Sequence, residues 1–84
     1  MSTFPLSILS AGRCLYQGEA ESFVFPATDG LYGIKARHSN LVAAVSEGRL
    51  SYVLPGGEKK EAFVSGGLVK VEDGAVLVMA DEIR

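Results

Sequence analysis

Apolar and polar residues alternate in short runs along this chain, and glycine-rich turns separate the runs. Leu6 and Ile8 fall on one face of a first strand, Phe4 to Leu9, with Ser7 and Leu9 on the other. Cys14 and Tyr16 alternate in a second, which stops near Gly18. Phe23 and Phe25 flank Val24 in a third, Ser22 to Pro26; bulky aromatic residues at period two favour a strand. Asp29-Gly30 marks a turn, and a short segment around Gly33 and Ile34 runs to His38. Leu50, Tyr52 and Leu54 then alternate with Arg49, Ser51 and Val53, until Pro55-Gly56-Gly57 closes that strand. Glu58 to Val64 returns antiparallel to it. Val69 and Val71 alternate with Lys70 and Glu72, Asp73-Gly74 suits a type I′ hairpin turn, and Ala75 to Ala80 forms the last strand.

This pattern predicts an all-β fold, a flattened antiparallel β-sandwich or barrel of short strands. One segment stays open. Ser39 to Gly48 holds Leu41, Val42 and Val45, which suit one face of a helix capped by Ser39 or Asn40, and equally a strand. No repeat or linker divides the chain, so residues 1–84 read as a single domain. Asp81 to Arg84 follow the last strand as a short solvated tail, with no room for a further helix.

Composition narrows the function. The 84 residues are 48% hydrophobic, enough for one small globular core. Ten acidic against eight basic residues leave a net charge of −2, without the basic stripe a nucleic-acid binder shows. The longest apolar run, Ala75 to Ala80, is far short of the roughly 20 residues a membrane helix needs. Any membrane association therefore goes through another protein. Cys14 is the only cysteine, so no internal disulfide forms, and no signal-peptide pattern opens the chain.

The chemistry of catalysis is thin. His38 is the only histidine, and one His with one Cys supplies too few ligands for a zinc site. Ser39 adjoins His38, but neighbours on an extended chain point to opposite faces. Cys14 with His38 as its base is the one nucleophile–base pairing available, and a small strand residue is the plainer reading of Cys14. Gly30-Leu31-Tyr32-Gly33 lacks the Gly-Lys-Ser/Thr of a phosphate-binding loop. Tyr16, Tyr32 and Tyr52 have no basic residues interleaved, which weakens the alternative of a small β-barrel nucleic-acid binder. No catalytic residue, cofactor site or metal site is assigned.

Several blocks, in order, resemble the N-terminal domain of the epsilon subunit of F-type ATP synthase. They are Phe4-Pro5-Leu6-Ser7-Ile8-Leu9-Ser10, and Leu15-Tyr16-Gln17-Gly18-Glu19-Ala20-Glu21. Phe25-Pro26-Ala27-Thr28-Asp29-Gly30-Leu31-Tyr32-Gly33-Ile34 follows, with His38 four residues beyond the isoleucine. Gly48-x-Leu50, Val64-Ser65-Gly66-Gly67-Leu68-Val69-Lys70-Val71 and Val76-Leu77-Val78-Met79-Ala80-Asp81 complete the match. The resemblance implies a β-sandwich with a strand where Leu41 to Val45 falls. It implies a non-catalytic rotor subunit at the foot of the central stalk, coupling the gamma subunit to the c ring during proton- or sodium-driven ATP synthesis. By position, Ser10, His38, Leu41 and Val42 would meet gamma, and Leu31 and Tyr32 the c ring. The protein would sit peripherally on the cytoplasmic face of the membrane as part of F1. Free of its partners, an exposed apolar face could drive self-association.

Departures from the family are local. Ala36-Arg37 and Ser39-Asn40 stand where Pro-Gly and Ala-Pro usually flank the histidine. Leu31 stands where the family often carries an acid in the turn that meets the c ring, and Lys70 replaces a frequent glutamate. The family's C-terminal helical hairpin is expected to be absent.

Overall fold

The structure, a computed structural model, describes residues 2–84. Among them there are nine strands and no helix. The strands are β1 (Phe4–Ser10), β2 (Arg13–Ala20), β3 (Ser22–Ala27), β4 (Gly30–Lys35), β5 (Leu41–Val45), β6 (Gly48–Val53), β7 (Lys59–Val64), β8 (Gly67–Glu72) and β9 (Ala75–Ala80). Two sheets form, ordered β2-β1-β9-β8-β5 and β4-β3-β6-β7. They stack without closing, so of the two forms expected the sandwich is the one adopted. Every pairing is antiparallel except β1 with β9, where the first and last strands lie parallel.

Period-two patterning decides which residues go inside. Phe4, Leu6 and Ile8 of β1 are buried, as are Val69 and Val71 of β8 and Val76, Val78 and Ala80 of β9. Phe23, Phe25, Ile34, Leu50 and Val64 face them from the second sheet. The Phe23 and Phe25 rings stack 5.7 Å apart at the centre. Each Val, Leu, Ile or Phe side chain so buried contributes about 1.5–3 kcal/mol.

The open segment resolves as strand β5. Leu41, Ala43 and Val45 turn inward while Val42 and Ala44 face solvent. The free edge of β8 supplies its partners, from Leu41 opposite Val71 to Val45 opposite Gly67. A helix here would leave that edge unpaired and bury fewer of these side chains. The hairpin between β8 and β9 turns as Asp73-Gly74 predicts, with positive φ at both residues (52° and 82°). The Asp73 amide also donates to Asn40 Oδ1 at 3.0 Å, tying that turn to the start of β5.

The chain end does more than trail. Asp81 and Glu82 are exposed, but their backbone is engaged. Asp81 N–H donates to Gly66 O, and Ser65 N–H to Glu82 O. Phe63 and Arg84 exchange two backbone bonds of 3.1 and 2.8 Å around a Val64–Ile83 bridge. The tail thus leaves the five-stranded sheet and pairs along β7 of the other, clasping the two together.

Candidate partner-binding surfaces

The residues that the sequence singles out do not form one cluster. Across the five-stranded sheet, Leu6, Val76, Val71 and Leu41 lie in one row. Ser10 sits four residues further along β1, so it is about 13 Å along and about 14 Å across from Leu41. Leu41 points inward and packs against the core. Its neighbour Val42 points out and is 64% exposed.

His38 lies in the connection between β4 and β5 and is half-buried. Its Nδ1 is 2.7 Å from the Ser39 carbonyl, which only accepts, so Nδ1 carries the proton and donates. In the neutral ring Nε2 then accepts from the Tyr32 hydroxyl at 3.2 Å. The Tyr32 ring meets His38 edge-on and lies 5.4 Å from Phe25, so an aromatic chain runs from the core to the histidine. Tyr32 and Leu31 are strand neighbours and point to opposite faces of β4. Leu31 is 73% exposed beside the β3–β4 turn, while Tyr32 belongs structurally with His38.

Cys14 is exposed on β2. β2 and β5 are opposite edges of the same sheet, about 19 Å apart by strand spacing. His38 leads into β5, so Cys14 and His38 are not brought together as nucleophile and base.

The sheet pairing also builds an apolar row that alternation along single strands does not reveal. Leu9, Met79, Leu68 and Ala44 lie side by side across β1, β9, β8 and β5 on the outer face of the five-stranded sheet. Met79 and Leu68 are 42% and 38% exposed. Val42 stands at one side of this row, and Leu15 adds exposed apolar surface on β2. The signal was present in Ala75 to Ala80, which is apolar on both faces although only one is covered.

Electrostatics here are mild. The Lys60 ammonium is held above its ordinary pKa by its hydrogen bond to Glu58 and then by that carboxylate's charge. Burial raises the Tyr52 phenol above 10.0, partly offset by Lys60. Among the described residues no group of three or more His, Cys, Asp or Glu is placed to hold a metal ion.

These features define a small, open-edged β-sandwich domain with exposed sheet faces. Residues 3–84 match the family described as the beta-sandwich domain of the ATP synthase delta/epsilon chain. The ATP synthase epsilon chain of Alkalilimnicola ehrlichii is 37% identical over 81 residues, covering 96% of this chain and 58% of that protein. The epsilon chain of Thioalkalivibrio sulfidiphilus is 40% identical over 80 residues, covering 94% and 57%. The chain therefore belongs to the ATP synthase delta/epsilon family, as an epsilon chain's β-sandwich domain, and spans under three fifths of the length of these relatives.

Solved structures share the fold. A chain of the Euglena gracilis mitochondrial ATP synthase, in its OSCP/F1/c-ring structure, superposes with a TM-score of 0.91 at 24% identity, covering 98% of this chain and 52% of that one. A chain of the Tetrahymena thermophila mitochondrial ATP synthase, in its central stalk/c-ring structure, gives 0.82 at 12% identity, covering 95% and 64%.

Proposed function

We propose that this domain is a non-catalytic part of the central stalk of an F-type ATP synthase, binding the gamma subunit on one side and the c ring on another. Its task is mechanical. Moving one charge down 100 mV releases about 2.3 kcal/mol, and that work must reach the catalytic head as rotation. Packed cores deform little, so a close-packed sandwich passes torque on with little loss. Attachment to the membrane is indirect, through the rotor, on the cytoplasmic face.

The apolar row Leu9–Met79–Leu68 is the observation that carries this reading. Adjoining exposed apolar residues on one sheet face mark an interaction surface. The family relationship supports gamma as the partner. Ser10, at the end of β1, and Val42, on β5, lie at two sides of this same sheet, so one gamma footprint would span both. Leu41 would then act from beneath, by holding β5 in place. Leu31, on the other sheet and beside the β3–β4 turn, is free to meet the c ring instead.

The test is size-exclusion co-elution with purified gamma subunit from the same organism. A one-to-one complex is expected, with no ATP hydrolysis by the domain alone. Met79→Asp and Val42→Asp should each weaken the complex while leaving the isolated domain folded. Failure of the unmodified domain to bind gamma in mild buffer would overturn the assignment.

A further inference from the structure

Glycine inside a strand weakens it and usually answers to a local requirement. Eight of the ten glycines hold positive φ. Gly18 does not, but a Cβ there would lie 2.8 Å from the Tyr16 hydroxyl. Gly33 has neither ground. Its φ is not positive, and the nearest atom to an added Cβ would be Val24 Cγ2 at 3.9 Å, an ordinary contact. Nothing within the domain requires glycine there. Its bare backbone opens a notch on the outer face of the four-stranded sheet.

The surroundings of the notch are specific. Gly33, Val24 and Ser51 lie in one row across β4, β3 and β6. Lys35 lines the surface beside Gly33 and Val24, and Arg49 lines it beyond Val24 and Ser51. Neither cation has a carboxylate within ion-pair distance among the described residues. The third cation at strand positions of this face, Lys59, is matched by Glu61 at 3.7 Å. The face is therefore net positive on a chain whose net charge is −2. By strand spacing Lys35 and Arg49 stand about 10 Å apart across the sheet and about 13 Å along it. That is too far for one small anion to bridge, and it suits carboxylates spread over several residues.

We propose that this face docks an acidic polypeptide segment. One of its apolar side chains sits in the Gly33 notch against Val24, and flanking carboxylates meet Lys35 and Arg49. The surface lies on the opposite sheet from the apolar row, and its recognition is electrostatic where that row's is apolar. His38 also borders the notch and Leu31 lines the surface beside Arg49, so a segment bound here would share this face with the contact proposed for Leu31.

The test is an NMR titration of the 15N-labelled chain with a short peptide alternating Leu and Glu, against a control with Lys in place of Glu. The Glu peptide should move the amides of Val24, Gly33 and Ser51, and added salt should weaken it; the Lys peptide should leave them unmoved. Gly33→Val fills the notch, and Lys35→Glu with Arg49→Glu reverses the charge. Each should raise the Kd by about tenfold or more. The proposal is overturned if no amide of this face moves, or if the shifts centre on Leu9, Leu68 and Met79. It is overturned equally if both peptides bind alike, or if the variants bind as tightly as the unmodified chain.

Discussion

At the scale of single residues, two glycines make opposite predictions. Gly67 has φ of 155°, and a Cβ there would overlap the Met79 carbonyl and Ala80 Cα. Backbone atoms of a central strand cannot step aside, so Gly67→Ala should cost about 2–4 kcal/mol in urea unfolding. Gly33→Ala meets no such obstacle and removes flexibility from the unfolded chain. It should be neutral or stabilising by up to about 1 kcal/mol. Tyr52 predicts a pH dependence. Burial raises its phenol pKa above 10.0, so the folded state favours the neutral form. That contribution is fully present below pH 10 and is lost as pH rises through the folded-state value. Melting temperature should therefore fall above about pH 10, and Tyr52→Phe should flatten the fall.

The element scale is where local signals and tertiary pairing part company. Ser39, Asn40 and Gly48 are sound helix boundary signals, yet β5 is a strand. An unpaired β8 edge offers hydrogen bonds along its length, and weak capping preferences do not outweigh them. The tail is a second case. Its acidic residues look solvated, and their side chains are, while the backbone completes an edge of β7. Ile83 is half-buried against the core there. Ile83→Asp should unlatch the clasp and cost about 1–3 kcal/mol, read as a lower urea midpoint. Val42→Asp on β5 should change stability by less than about 0.5 kcal/mol, because its side chain already faces water.

For the whole molecule, the parallel β1–β9 pair joins the two ends of the chain through the middle of the larger sheet. Neither end can leave without opening the core, so the domain should unfold as one unit. Far-UV circular dichroism and tyrosine fluorescence should give superimposable denaturation curves; separated midpoints would show that the sheets come apart independently. The exposed apolar row gives the isolated domain a reason to self-associate. Sedimentation should show a concentration-dependent rise in mass that Met79→Asp suppresses.

How much was legible follows from the range of each interaction. Alternation at Leu6/Ile8, Phe23/Phe25, Leu50/Tyr52 and Val69/Val71 fixed the strands and their inner faces, because side-chain direction in a strand depends only on parity. Asp73-Gly74 fixed a hairpin, because a turn is chosen by its own two residues. The ordered blocks around Phe25 to Ile34 and Val64 to Val71 carried the family. The rest depends on residues distant in sequence. That Leu9, Met79 and Leu68 become neighbours, that Tyr32 turns to His38 while Leu31 turns away, and that Gly33 opens between Lys35 and Arg49 are consequences of which strands lie side by side. Parity orients each side chain, but only the pairing order of the strands decides what stands next to it.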